Sequence, residues 1–369
     1  MQFTIIQKEL INAIKAINKI YNKNPHLPIL SGVHLHASNN QLELTVTDLT
    51  AGLKVQIPAQ ITQEGQAILS GKIFIESISF FDQKETSFNL NEKDILITNG
   101  RDKVNIPVLT EEYPLFNLPT ITSKSLSLSF WEKIVKKVVF ATSNDQSRPA
   151  LTGVLFDFTH PQLQFVGTDG FRLSVLKESQ VIIEQLTENI ILSAKALADT
   201  VALAQIFSLK EISFGYDQVG EQVFFITPDF TYFSKIINSN YPPYEKIIPL
   251  DFSTQITTDR ENLVKNLTKA SVFTRSGNNT VDLSINDQKL ILSASTLNSG
   301  NFEGEQDLES HQGEDLKISF NIRYLLDFLN TCKGEVIWFG FNNPTSPAMI
   351  KDQTDEDLIY IAMPFKPKS

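Results

Sequence analysis

The sequence predicts an α+β fold built from three repeated units of antiparallel sheet and helix. Three observations lead there: self-similarity at one fixed offset, short runs with period-two apolar alternation, and longer runs with helical spacing. The chain has 369 residues, too many for one ordinary core, and length alone suggests two or three domains.

The repeat is the clearest signal. Residues 28–48 read PILSGVHLHASNNQLELTVTD and residues 149–169 read PALTGVLFDFTHPQLQFVGTD. Pro28, Leu30, Gly32, Val33, Gln41, Leu42, Thr47 and Asp48 recur as Pro149, Leu151, Gly153, Val154, Gln162, Leu163, Thr168 and Asp169, all at an offset of 121. A fainter third copy, TVDLSINDQKLILSAST at 280–296, lacks the Pro-x-Leu-x-Gly lead and the terminal Asp. ILSGK (68–72) and ILSAK (191–195) each open a helix, with SFNIRYLLDFL (319–329) as a looser third version. The first two copies close on Tyr-Pro-x-aromatic: Tyr113, Pro114 and Phe116, then Tyr241, Pro242 and Tyr244. Boundaries therefore fall near 121 and 249, giving units 1–120, 121–249 and 250–369.

Within a unit, QLELTV, KDILIT, QLQFVG and QKLILSA alternate as half-buried antiparallel strands do. NNQ, PDF and NDQ supply the turns between them. ELINAIKAINKIY, FWEKIVKKVVFAT and RENLVKNLTKASVF carry apolar residues at helical spacing. Two helices among antiparallel strands make an α+β unit with its helices on one sheet face.

Composition narrows the function class. No stretch reaches the roughly 20 uncharged apolar residues of a membrane helix, and MQFTIIQKELINAIK is too charged for a signal peptide. The expectation is a cytoplasmic protein without membrane association. The single cysteine, Cys332, excludes an intrachain disulfide and reads as a buried structural thiol in YLLDFLNTCKG. The net charge of −10 at first argues against a nucleic-acid partner.

Splitting that charge reverses the reading. The first helices of the three units, taken as 7–23, 131–147 and 259–275, hold eleven Lys or Arg and five acids. That is a local +6, which leaves −16 for the rest of the chain. The basic residues are Lys8, Lys15, Lys19, Lys23, Lys133, Lys136, Lys137, Arg260, Lys265, Lys269 and Arg275. At 100° per residue Lys8, Asn12, Lys15 and Lys19 fall within about 60°, opposite Leu10, Ala13, Ile14, Ile17 and Tyr21. Lys133 with Lys137, and Lys265 with Lys269, repeat the i,i+4 spacing. A solvated face is the plain alternative for any one helix; three helices biased alike in an acidic chain favour phosphate contact. No aromatic residues interleave with the lysines, and no recognition-helix or zinc-finger pattern is present. The expected contact is therefore independent of base sequence.

No catalytic constellation stands out. A Gly-rich phosphate loop, Gly-x-Ser-x-Gly, His-Glu-x-x-His and a Cys pair are all missing from the sequence. His26, His34, His36, His160 and His311 are scattered, and His34 with His36 has no third ligand nearby, so neither a metal nor another cofactor is expected. Asp48 and Asp169 could be paired carboxylates, but each follows Thr at a strand end and reads as a turn residue. The alternative to a binding protein is a repeat-built enzyme with an inter-domain site.

HLPILSG (26–32), SRPALTGV (147–154), TDGFRL (168–173), YPPYEKIIP (241–249) and IAMPF (361–365) occur in the order and spacing of one family. Across its whole length the chain resembles the bacterial beta sliding clamps, the beta subunits of DNA polymerase III. The resemblance implies a DNA clamp fold of three repeated domains, sheets outside and helices inside. It also implies a head-to-tail homodimeric ring that encircles double-stranded DNA without sequence specificity. Such a clamp is a processivity factor, not an enzyme. It tethers the DNA polymerase holoenzyme with its 3′–5′ exonuclease, the clamp loader and repair proteins through linear clamp-binding motifs.

By motif match, the implied peptide cleft comprises Leu151, Thr168, Gly170, Phe171, Arg172, Leu173, Pro242, Lys246, Ile247, Pro347, Ile361, Met363, Pro364 and Phe365, with Arg172 orienting a polar group. Phe171, Lys246 and Phe365 depart from residues common in the family. The implied DNA-facing set is Lys8, Lys15, Lys19, Lys23, Lys133, Lys137, Arg148, Lys265 and Lys269, with Asn24 where the family carries a loop arginine. The implied protomer interface sets Arg101, Lys103, Val104 and Ile106 against Val272, Phe273, Glu303 and Glu305 of the partner, flanked by Asp307 and Glu309.

Overall fold

Each sequence repeat folds in one order: a strand, a helix, a run of strands, a second helix and a closing three-stranded meander. The computed structural model describes residues 1–179, 181, 183, 188–274, 277–296 and 300–365. Arg275 and the tail after Phe365 lie outside the described residues.

The first repeat holds β1 (Gln2–Ile6), α1 (Gln7–Ile20), β2 (Gly32–Ser38), β3 (Gln41–Thr47), β4 (Ala51–Pro58), β5 (Gln60–Gln63), β6 (Gly65–Ser70), α2 (Gly71–Ser79), β7 (Glu85–Leu90), β8 (Asp94–Asn99) and β9 (Asp102–Pro107). The second holds β10 (Ser123–Ser127), α3 (Leu128–Lys137), β11 (Gly153–Asp157), β12 (Leu163–Thr168), β13 (Arg172–Glu178), β14 (Ile190–Ser193), α4 (Ala194–Ile206), β15 (Glu211–Asp217), β16 (Gln222–Ile226) and β17 (Phe230–Lys235). The third holds β18 (Thr254–Asp259), α5 (Arg260–Val272), β19 (Thr280–Asn286), β20 (Lys289–Thr296), β21 (Gly300–Asp307), β22 (Ser310–Gln312), β23 (Leu316–Asn321), α6 (Ile322–Leu329), β24 (Val336–Phe341), β25 (Ala348–Asp352) and β26 (Leu358–Ala362).

By contact the chain divides into two compact units rather than three. One joins Met1–Glu132 and Ile183–Leu186 to Lys195–Ile236; the other joins Lys133–Ile182 and Thr187–Ala194 to Ile237–Ser369. The sheets explain why. In the first unit an eight-stranded sheet runs β10-β15-β16-β17-β4-β3-β2-β6, so half comes from the second repeat and half from the first. In the second unit a nine-stranded sheet runs β14-β11-β12-β13-β26-β25-β24-β18-β22, joining the second repeat to the third. The two joints are equivalent: β4 pairs β17 with Leu53 opposite Tyr232, and β13 pairs β26 with Ser174 opposite Tyr360. Both tyrosines are buried. Gly52 permits close approach at the first joint, since a Cβ there would lie 2.4 Å from the Phe233 ring.

Two smaller sheets remain. β5-β1-β7-β8-β9 belongs to the first repeat and β21-β20-β19-β23 to the third. β9 and β21 are end strands, and among the described residues no strand pairs with their outer edges.

The helices follow the apolar pattern. α1 buries Leu10, Ala13, Ile14, Ala16, Ile17 and Ile20, while Lys8, Lys15 and Lys19 are exposed. Its first residue, Gln7, is buried and donates to the carbonyls of Ile78 and Phe81, tying α1 to the end of α2. α3 is shorter than its sequence pattern: it ends at Lys137 and gives way to a 3-10 turn at Val139–Ala141. Val138 at the junction, with φ −124°, has left the helix, in keeping with the low helix preference of a β-branched pair. Burial closes on aromatic packing: Trp131 meets Phe130 and Phe225 edge to face and Phe214 at a tilt, with no accessible surface.

Candidate peptide cleft and charged faces

The repeated Thr-Asp ends a strand and builds the turn after it. Asp48 Oδ1 accepts from the amides of Thr50 (2.9 Å) and Ala51 (2.8 Å). Asp169 Oδ1 accepts in the same way from Phe171 (2.9 Å) and Arg172 (3.0 Å). Both carboxylates are occupied as turn acceptors. Gly170 sits in this second turn at φ +91°, a conformation that side chains rarely adopt. The closing tyrosines brace the same turns: Tyr113 Oη accepts from the Thr47 amide (3.1 Å), and Tyr241 Oη donates to the Val166 carbonyl (3.1 Å). Burial pushes the Tyr113 hydroxyl up to about 12.

Every residue assigned to the cleft falls in the second compact unit. The C-terminal segment lies along the turn, with the Met363 amide bonded to the Phe171 carbonyl (2.8 Å) and the Phe365 amide to Ser319 (2.8 Å). Phe171 is 56% exposed, Ile247 40% and Phe365 39%, unusual for residues of this size. Gly170, Pro242 and Lys246 are also exposed, and Pro347, Met363 and Pro364 half-buried. Beneath them lies an apolar cluster that includes Ala150, Leu155, Leu173, Tyr244, Met349 and Ile361.

Four of the assigned residues are buried. Leu173 and Ile361 have no accessible surface and Leu151 only 8%, so they support the floor. Thr168 is buried too, and its hydroxyl is spent on the Arg172 carbonyl (2.5 Å). Arg172 is fixed: Nε bonds Asp169 (3.0 Å), Nη1 bonds Asp327 (2.6 Å), and the guanidinium lies over the rings of Phe140 and Tyr324. Burial opposes its charge, yet the Asp327 bond and neighbouring acids hold its pKa above the usual arginine value. Phe140, Tyr324 and Asp327 escaped the sequence reading because they lie far from TDGFRL in the chain.

The lysines separate into two groups. Lys8, Lys15, Lys19, Lys23, Lys265 and Lys269 are exposed. Lys133 and Lys137 are half-buried and ion-paired, Lys133 with Glu178 at 3.2 Å and Lys137 with Asp355, so they offer less charge to an outside anion than their spacing implied. Lys136 is the exposed lysine of α3. Arg148 is exposed, paired with Asp145 at 3.4 Å, and its Nη1 lies beside Gly170. Lys265 and Lys269 line an open cavity of about 450 Å³ that they share with Glu305, Asp307 and Glu309.

Comparison with known proteins decides the family. Models of the DNA polymerase III beta subunit match in succession: the N-terminal domain over residues 1–119, the central domain over 125–243 and the C-terminal domain over 245–366. The chain belongs to this family of beta sliding clamps. The beta sliding clamp of Staphylococcus epidermidis is 28% identical over 99% of each chain, and that of Staphylococcus aureus 27% over the same share. The crystal structure of the DNA polymerase sliding clamp from Bacillus subtilis covers all of both chains, with 25% identity and a TM-score of 0.91.

Among clamp features, the edge strands differ in part from expectation. On β9, Arg101 at the preceding turn and Lys103 are exposed, Val104 is half-buried, but Ile106 is wholly buried. Ile106 therefore serves the core of its own sheet and can join an interface through its backbone only. On β21 Glu303 and Glu305 are exposed, while at the end of α5 Val272 is 55% exposed and Phe273 stacks on Phe302 at 6.2 Å. Phe302 was passed over because it sits inside an acidic run. Glu305 is already paired with Lys289.

The remaining assignments are structural. Cys332 is buried, and desolvation pushes its thiol up to about 12. His34 is buried, stacks on Tyr113 and meets Gln66 at 3.3 Å; burial lowers its pKa. No helix among the described residues is long and apolar enough to cross a membrane.

Proposed function

We propose that the chain is a DNA polymerase processivity factor, a non-catalytic clamp that closes as a homodimer around double-stranded DNA. In this reading it acts in the cytoplasm, where it tethers the polymerase, clamp loader and repair proteins through linear peptides. The observation that carries the ring is the unfinished symmetry of the sheets. Two joints of the same kind are made within the chain, β4 with β17 and β13 with β26. The strands equivalent to a third joint are β21 and β9, both end strands. Pairing β21 of one copy with β9 of another completes the pattern twice in a head-to-tail dimer and covers two exposed edges on each chain.

The existing joints give the register. Ala294 stands opposite Phe302 as Val46 stands opposite Leu53, so Phe302 is the counterpart of Leu53. Val104 lies nine residues before Tyr113, as Tyr232 lies nine before Tyr241. Because Tyr232 faces Leu53, Val104 should face Phe302 of the partner copy. Lys103 then stands opposite Glu303 and Arg101 opposite Glu305, an apolar pair flanked by opposite charges.

The boundaries near 121 and 249 are proposed as those of three clamp domains, which supports equating the joints. The exposed lysines of α1 and α5 are proposed to meet phosphates, and Phe171, Ile247, Met363 and Phe365 to accept the anchors of a bound peptide. An enzyme reading loses its best candidates, since Asp48 and Asp169 are turn acceptors.

Loading onto nicked circular DNA tests the function. The protein should stay on the circles and leave once they are linearised; equal retention on both would sink the ring.

A further inference from the structure

The closing turn of the second repeat holds a group of side chains that the clamp reading leaves unused. His160 lies after β11, in the loop to β12, and Glu245 lies in the 3-10 turn Tyr244–Ile247, far along the chain. Their reactive atoms converge with those of Asp157. His160 Nε2 is 3.5 Å from Asp157 Oδ2 and 3.6 Å from Glu245 Oε1, and all three ligand atoms lie within 4.8 Å of one another.

We propose that Asp157, His160 and Glu245 form a zinc site that fastens the turn Tyr244–Ile247 to the end of β11. Three lines of geometry support it. Zinc bonds of about 2.0–2.1 Å in a tetrahedron separate neighbouring ligands by about 3.3 Å. The two histidine-to-carboxylate distances already lie near that edge, and Glu245, with half of its side chain exposed, can close the remainder.

The second line is that Asp157 is held in place. Its Oδ1 accepts from the Thr159 amide (2.9 Å), the Thr159 hydroxyl (2.6 Å) and Asn189 Nδ2 (3.2 Å), which leaves Oδ2 directed at the histidine and Tyr244. Such outer bonds orient a ligand before the metal arrives. Tyr244 Oη donates to Asp157 Oδ2 (2.8 Å) and also lies 3.2 Å from both Gln164 Oε1 and His160 Nε2. It can keep one of these bonds beside a metal.

The third line is the donor set. One imidazole and two carboxylates, with a solvent position open beside partly exposed His160, suit zinc better than magnesium or calcium, which take oxygen ligands at higher coordination number. Zinc would take the Nε2 lone pair of His160, leaving Nδ1 to carry the ring proton.

The consequence is local stiffening. The fastened turn carries Lys246 and Ile247, two residues placed in the peptide cleft, and Tyr244 packs into the apolar cluster below it. That link to peptide binding rests on the proposed function; the metal site does not.

The test is titration of the full-length, metal-stripped protein with zinc chloride in a calorimeter, with His160→Gln and Glu245→Gln alongside. Both side chains are partly exposed, so the variants should fold, and circular dichroism checks that they do. One zinc per chain is expected for the parent, at least a tenfold loss of affinity for each variant, and a raised thermal transition with zinc in the parent only. Cobalt substituted for zinc should give the visible absorption of a tetrahedral site, and magnesium should not compete. No zinc uptake, or uptake undiminished in either folded variant, overturns the site. If zinc binds as expected but leaves peptide affinity unchanged, the site stands and its link to the cleft fails.

Discussion

Reversing one charge on an edge strand tests the proposed protomer contact at a single residue pair. In the derived register Lys103 faces Glu303 of the partner, and both are exposed in the isolated chain. Lys103 is the better choice over Arg101, whose counterpart Glu305 is already held by Lys289 of its own sheet. An exposed ion pair contributes about 0.5 kcal/mol, and a like-charge pair directly opposite costs about as much. Lys103→Glu therefore weakens each contact by about 1 kcal/mol and a two-contact ring by about 2 kcal/mol, or about 30-fold in the dimer dissociation constant. Sedimentation over a dilution series at low salt reads this directly. Adding Glu303→Lys in the same chain restores the opposite-charge pair and should recover most of the loss. Screening over about 8 Å at physiological ionic strength should shrink both effects. A dissociation constant unmoved by Lys103→Glu would refute the contact; a loss that Glu303→Lys fails to repair would refute the register.

Three further outcomes follow from the same geometry. Phe171→Ala removes a ring that is 56% exposed, so peptide affinity should fall about 5- to 30-fold with the melting temperature unchanged; equal peptide binding would remove Phe171 from the cleft. Replacing Lys8, Lys15 and Lys19 by alanine should flatten the log–log salt dependence of DNA binding, by up to about 0.9 per lost phosphate contact. An unaltered slope would mean that the α1 stripe faces only solvent. His34 is held neutral by burial, so its folded pKa lies below the unfolded value of about 6.5. The unfolded chain takes up the proton first as pH falls, and stability drops from about pH 6.5 down to the lowered folded value. His34→Asn should lose less stability than the parent between about pH 7.5 and pH 5.5 in urea unfolding, and matching losses would rule out the histidine as the cause.

The repeats were legible because their landmarks are backbone necessities. Thr-Asp recurs because the aspartate closes a turn at Asp48 and again at Asp169. The tyrosine of each Tyr-Pro recurs because its hydroxyl braces the strand that leads into that turn. What the repeat concealed is that strand partners cross from one copy to the next. Leu53 and Tyr232 sit in separate repeats, and nothing in either run indicates that they stand opposite each other. Alternation shows which face of a strand is apolar; it does not show which strand lies alongside.

The site residues divide on the same ground. TDGFRL and IAMPF were legible as two segments, and a backbone bond from Met363 to Phe171 joins them. The helical wheel placed Lys133 and Lys137 on one face, correctly, but it carries no information about Glu178 and Asp355, which reach that face from other elements. Phe302 and the group around His160 were missed for a related reason. Each becomes distinctive only through a partner many residues away, Phe273 for the ring and Glu245 for the imidazole. Sequence spacing exposes chemistry that one element carries by itself. An edge pairing, a cleft floor or a metal cluster is assembled between elements, and its evidence lies in the register of the sheets. That is why β9 and β21, unremarkable as segments, carry the case for the ring once the two internal joints are seen.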